Sequence, residues 1–303
     1  MVPTLKLSIK DEINKDPLFI FDIVEQLSTN KITLSQKDKE IIKDAAPTLL
    51  TQSIDRLRDG ISKLLISPNP HIAIKYLIYL GITEVLLPEL NALANVEQPP
   101  LYHPEGDVLT HTLLLLEHMV YPTVLLGWTA LLHDIGKPAT QSIDTDGRIR
   151  FFSHEVVGAQ IAENILRRFN FSTQDIEVIT LAIKNHMKMA NVINMKKQKK
   201  LKIISSPSFA LELELNRLDC ISCHGKFDSF LLLIDEYINQ DIPKIKPLIT
   251  GKILLKNGFK EGPLLGKILS LVYDIQIKNN ITLIDEALAI AKEISNKINL
   301  QEQ

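Results

Sequence analysis

The stretch Ala130-Leu-Leu-His-Asp-Ile-Gly-Lys-Pro138 decides how this chain is read. It closes an apolar run that begins at Val124 and sets two hard metal ligands, His133 and Asp134, side by side where a core helix would otherwise continue. Burying an unpaired carboxylate is costly, and a metal ion is among its best partners. Adjacent helical residues diverge by about 100°, so both side chains reach one ion only beside a helix end. Gly136 and Pro138 supply that end.

On both sides of this stretch apolar residues recur with a period near 3.6, and clean alternation is nearly absent, so an all-α fold is expected. Asp16-Pro17 opens a first helix with Ile20, Ile23, Val24 and Leu27 as its apolar stripe. Further helices are expected over Ser35–Ala45, Ser53–Leu65 and Pro70–Leu80, with breaks at Ser67-Pro-Asn-Pro70 and Gly81. Pro88, Pro99 and Pro100 bound an irregular stretch. The turn signals of Asp144-Thr-Asp-Gly147 precede Ile149–Phe152, the only plausible strand material. Beyond Pro243 and Pro247, helices are expected near Lys252–Asn257, Pro263–Lys278 and Leu283–Ile298. The expected division is a neck-like segment over 1–100, a central ligand-bearing domain over 101–225 and a tail-like segment over 226–303, in one compact protein.

Composition narrows the class. With 303 residues, 45% of them hydrophobic, the chain is long enough for a substantial core. A formal net charge of -2 gives no global pull toward nucleic acid or membrane. The apolar runs are far too short to span a bilayer, and the charged, amphipathic first twelve residues do not read as a secretory signal. Cys220 and Cys223 have no second pair, which argues against a structural zinc site and suits a reducing cytoplasm.

Four further residues join the pair. His111, His133, Asp134 and Asp219 come from three expected helices and form a mixed nitrogen and oxygen set for a divalent ion. His154, after Ser153 as N-cap, and His186 extend the set, with Asp134 as the bridge to a second ion. Mg, Mn, Ni, Co, Fe and Zn all remain open, as do one ion or two. Asp107, one turn before His111, is expected to accept that ring's remote N–H. Lys137 and Arg148 are candidates for holding phosphate oxygens, and Asp134 is counted among the catalytic residues. A lone buried histidine is more often a hydrogen-bonded core residue, and His71, His103, His118 and His224 keep that reading.

These residues carry a resemblance. Tyr102-His-Pro-Glu-Gly-Asp-Val-Leu-Thr-His-Thr-Leu113, the quoted His133-Asp134 stretch, Gly147-Arg-Ile-Arg-Phe-Phe-Ser-His-Glu155 and His186-Met187 together resemble the HD superfamily. The likeness is to the HD-containing half of bacterial CCA-adding enzymes. Ser53-Ile-Asp-Arg-Leu-Arg-Asp-Gly-Ile-Ser-Lys-Leu-Leu-Ile-Ser-Pro-Asn-Pro70 is similar to that family's neck, and Gly251–Gly266 to its tail. The superfamily's metal pattern maps onto His111, His133, Asp134 and Asp219, and its extra histidines in binuclear members onto His154 and His186.

The departures are equally informative. The family's nucleotidyltransferase head, with its Gly-Gly loop, Asp-x-Asp pair and Arg-Arg motif, has no counterpart here. Asp144-Thr-Asp146 follows no glycine-rich strand-turn, and the neck arginines are replaced by Phe19 and Asp22. CCA addition is therefore not expected. The resemblance implies a metal-dependent phosphohydrolase of phosphatase, nucleotidase or phosphodiesterase type, acting on a phosphorylated small molecule or nucleotide. The alternative is a non-catalytic tRNA- or RNA-binding module, to which the basic run Lys196-Lys-Gln-Lys-Lys-Leu-Lys202 would contribute. A di-iron oxygenase of the same superfamily fits the ligand order but not the flanks.

Overall fold

The computed structural model describes residues 8–100, 103–239, 247–279 and 281–301. Tyr102, Pro243 and the first seven residues lie outside the described residues. Within them the protein is all-α but for one hairpin.

Helices form where caps and apolar stripes place them. Ser35 and Asp38 form a reciprocal capping box at the start of Gln36–Ala45. Ile54–Leu65 and Pro70–Tyr79 follow, and Gly81, at φ 71°, turns the chain after the second. Phe19–Ser28 buries the expected stripe Ile20, Ile23, Val24 and Leu27. An additional helix, Ile9–Lys15, precedes it and buries Ile9 and Ile13, so the first helix opens earlier than Asp16. The hairpin pairs Gln141–Ile143 with Ile149–Phe151, Ile143 opposite Ile149, across a turn that uses Gly147 at φ 80°. No described helix is long and apolar enough to cross a membrane.

The chain forms two compact units. Residues 1–191 and 210–231 form one, and residues 192–209 and 232–303 the other. One hydrophobic core runs from Ile9 to Leu218, across the boundary expected at 100. Trp128 shows why. Its fully buried indole N–H donates to Ser62 Oγ at 2.9 Å, joining the helix Val124–Leu132 to Ile54–Leu65. Gly127 lets these helices approach, since a Cβ there would lie 2.9 Å from Leu65 Cβ. Phe169 and Phe171 complete the cluster, with ring centroids 5.3 and 5.2 Å from Trp128.

The second unit has its own core of Leu254, Ile268, Val272, Ala287 and Ala291, drawn from Gly251–Lys256, Pro263–Asn279 and Ile284–Gln301. The basic run lies on a helix of this unit, Lys197–Ile204. Two of its charges are paired internally, Lys200 with Glu236 at 3.4 Å and Lys202 with Asp274 at 2.6 Å.

Candidate metal centre

The site is built where Val124–Leu132 stops. His133 and Asp134 occupy the turn that follows, and Gly136 in that turn presses against the helix His154–Arg168. A Cβ on Gly136 would overlap the His154 carbonyl oxygen and the Gly158 backbone, so glycine alone permits the approach. That contact brings His154 beside Asp134. His111 arrives on Val108–Glu117, His186 on Thr173–Ala190 and Asp219 on Phe209–Ser222. Ser153 does not cap its helix through its side chain. It adopts a left-handed backbone, φ 61°, that turns His154 inward.

Four imidazoles converge with one polarity. Each Nδ1 is held away from the centre: His133 by the Ala130 carbonyl at 2.9 Å, His154 by Phe151 at 2.8 Å and His186 by Ile183 at 2.6 Å. A carbonyl only accepts, so these Nδ1 atoms carry the hydrogen and each Nε2 turns inward. His111 Nδ1 is held by Glu105 Oε1 at 2.7 Å instead. The Nε2 atoms meet in two pairs, His111 with His133 at 3.3 Å and His154 with His186 at 3.2 Å. Facing lone pairs at that range repel unless a proton or a cation lies between them.

Asp134 lies between the pairs. Oδ2 is 3.1 Å from His133 Nε2 and 3.7 Å from His111 Nε2, while Oδ1 is 3.4 Å from His154 Nε2 and 3.9 Å from His186 Nε2. Burial would raise this carboxyl, but His133 and Lys137 hold it well below the usual carboxylate range. Asp219 Oδ1 completes the first group at 3.1 Å from His111 Nε2. The donor atoms of His111, His133 and Asp219 lie within 4.8 Å of one another, as do those of Asp134, His154 and His186. The buried Oδ1 of Asp134 has no hydrogen-bond partner. An orphaned carboxylate oxygen facing two imidazole lone pairs fits a divalent cation.

Two expected roles are corrected. Asp107 does not support His111. As N-cap of Val108–Glu117 its carboxylate turns back to accept from the N–H groups of Thr110 and Asn95, at 2.8 and 2.7 Å. Glu105 takes the supporting role, accepting from both His111 and, at 2.9 Å, His103. Burial would raise the Glu105 carboxyl, but the two imidazoles bring it down to about 2. Arg148 sits in the exposed hairpin turn paired with Asp146 at 3.0 Å, not on the site. Arg150, two residues on and paired with Asp144, lines the adjoining cavity instead.

That cavity measures about 360 Å³ and reaches Asp134, His154, His186 and Asp219. Ile149, Phe151, Pro99 and Met187 give it apolar walls, and His103, Lys137 and Cys223 also line it. Burial, reinforced by the charge of Asp219, pushes the Cys223 thiol up to about 12, so it stays protonated. Sequence reading missed Glu105, whose only signal was a carboxylate in the His-Pro-Glu-Gly loop before His111.

Two family models match this chain. Residues 108–206 match the HD domain, and residues 32–93 match the family described as the probable RNA and SrmB-binding site of polymerase A. The A-adding tRNA nucleotidyltransferase of Deinococcus radiodurans is 30% identical over 193 residues, 60% of this chain and 44% of that protein. The CC-adding tRNA nucleotidyltransferase of Thermus thermophilus is 27% identical over 249 residues, 78% of this chain and 55% of that protein. The chain therefore spans about half the length of these relatives. A solved CCA-adding enzyme in an apo form aligns over 95% of this chain and 61% of its own, at 14% identity and a TM-score of 0.43.

Proposed function

We propose that this chain, which carries an HD domain and the RNA-binding neck of the CCA-adding enzyme group, is a metal-dependent phosphohydrolase acting on a nucleotide or related phosphoester. The observation that carries the reading is Asp134, whose two oxygens face two separate histidine pairs. His111, His133, Asp219 and Asp134 Oδ2 would hold one divalent ion, and His154, His186 and Asp134 Oδ1 a second. Such ions, when bound, activate water and neutralise charge developing at phosphorus.

The remaining residues supply shape and charge. Ile149, Phe151, Pro99 and Met187 give one side of the cavity an apolar wall, and apolar walls strengthen electrostatic interactions beside them. Lys137 and Arg150 are the cationic side chains of its wall, suited to a phosphate group. A cytoplasmic location suits this chemistry and the free thiols of Cys220 and Cys223.

A second reading, a non-catalytic tRNA- or RNA-binding module, is favoured by the neck match over residues 32–93. One experiment separates the two. Metal content of the native protein is measured by elemental analysis, and a phosphoester panel is assayed with and without chelator, for wild type and for folded Asp134→Ala. Chelator-sensitive hydrolysis that Asp134→Ala abolishes supports the phosphohydrolase. Fully metallated protein that cleaves no phosphoester, yet binds tRNA with a steep salt dependence, supports the module.

A further inference from the structure

Lys137 is a cation on the carboxylate that both metal ions would share. Its buried ammonium lies 2.7 Å from Asp134 Oδ2 and donates to Gln98 Oε1 at 2.6 Å. Gln98 is buried as well, and its amide nitrogen donates to the Gly106 carbonyl at 3.4 Å. A side chain anchored on the loop ahead of Val108–Glu117 thus fixes the ammonium against the His133-Asp134 turn. The pairing is one-sided, since it engages Oδ2 and leaves Oδ1 without a hydrogen bond.

An ammonium and a divalent ion on one buried carboxylate oxygen repel strongly, because little water screens them. One of them must yield. Lysine is the mobile partner, with a single charge on a flexible four-carbon stem. It has somewhere to go. Lys137 lines the cavity together with Phe151, whose ring centroid is already 5.5 Å from Nζ, within cation–π range, so a turn toward the cavity need not give up that contact.

We propose that Lys137 is an internal competitor for the cation at Asp134 Oδ2, with Gln98 as the positioning residue that parks it there. Ion uptake and release of the ammonium toward the cavity are then one event. The consequence for the site is an order of assembly: the group suited to phosphate turns to the cavity when the ion arrives. This inference rests on the metal-centre reading but not on turnover.

Full-length chain stripped with chelator and titrated with Mn(II) by calorimetry tests it. Truncation beside a metal site ordinarily weakens binding, and here the sign is reversed. Lys137→Met should bind Mn(II) about ten-fold or more tightly than wild type. Gln98→Leu should move the same way by roughly two- to five-fold, because it removes only the neutral anchor. The second readout needs no variant: acetylation of Lys137 in wild type, followed by mass spectrometry, should accelerate several-fold when Mn(II) is added, with exposed Lys184 as the unchanged internal control. Folded variants that bind Mn(II) no more tightly than wild type overturn the inference, and if the variants do not fold, Lys137 labelling that ignores Mn(II) overturns it. A chain that behaves as expected here but hydrolyses nothing removes the proposed function and leaves the competitor in place.

Discussion

The imidazoles of His154 and His186 face each other with their Nε2 atoms 3.2 Å apart, and both Nδ1 hydrogens are committed to backbone carbonyls. Burial lowers the proton affinity of His186, to about 4, whereas Asp134 outweighs burial and raises that of His154. The pair therefore holds a proton unequally, with His154 the favoured site, and its facing Nε2 atoms suit a single cation between them. Elemental analysis after saturation should find about two ions per chain in wild type and about one in His154→Ala or His186→Ala. Wild type that never exceeds one ion would remove the second position.

The same geometry sets a pH dependence. Burial alone would push the His111 imidazole down, but Asp219 and Glu105 on its two nitrogens carry it up to about 9. Below that pH a divalent ion must displace a proton to reach Nε2. Metal affinity should thus climb as pH rises from 6 toward about 9 and level off beyond. Calorimetry in buffers of different ionisation enthalpy should report release of at least about one proton per chain near neutral pH, from His111, with any further release coming from His154. Stability of chelator-stripped protein runs the other way. A raised folded-state pKa contributes stability that is fully present below the unfolded histidine value and is lost as pH rises through about 9.

Glu105 fixes the orientation of His111 from its Nδ1 side, away from the His133-Asp134 centre. Glu105→Ala should lower metal affinity by about 10–100-fold while leaving the fold intact, and Asp107→Ala should not. Removing Asp107 instead costs about 1 kcal/mol of stability, as expected for a lost helix N-cap. Chelator competition and thermal melts on the two variants separate these outcomes. Equal effects on affinity would reverse the assignment of Glu105.

The contrast between Glu105 and Asp107 also shows what sequence could carry. The six side chains the structure brings together sit on, or directly beside, helices; the helix end at His133-Asp134 could be read from Gly136 and Pro138, whereas the side-chain cap expected at Ser153 is not made. The Asp107 reading failed because same-face spacing holds only once a helix has begun. At φ −74° and ψ 170°, Asp107 is still extended, and its carboxylate points back along the chain. Glu105 and Gln98 lie in irregular backbone, where position follows from tertiary contacts that no periodicity encodes. Arg148 and Arg150 differ only in whether the residue falls in the hairpin turn or on its strand, a choice fixed by the partner Gln141–Ile143, which carries no strand pattern. The core that crosses position 100 was just as hard to read. Proline spacing marked a break in the helices but said nothing of the core that Trp128 and Ser62 carry across it.

Gly136 offers the sharpest test of how the fold positions the site. Its missing Cβ is what allows the His133-Asp134 turn to reach the start of His154–Arg168, and the overlap with backbone atoms cannot be relieved by a rotamer change. Gly136→Ala should destabilise by at least about 1–3 kcal/mol, in the manner of an overpacked core. It should also weaken metal binding, because Asp134 and His154 are pushed apart. Gly147→Ala is the control: its Cβ would meet open space, and its left-handed backbone alone costs about 1–2 kcal/mol. The two variants can thus lose similar stability, yet only Gly136→Ala should lose affinity for Mn(II). If Gly147→Ala weakens the metal as much, general destabilisation accounts for both, and the glycine contact has no special hold on the site.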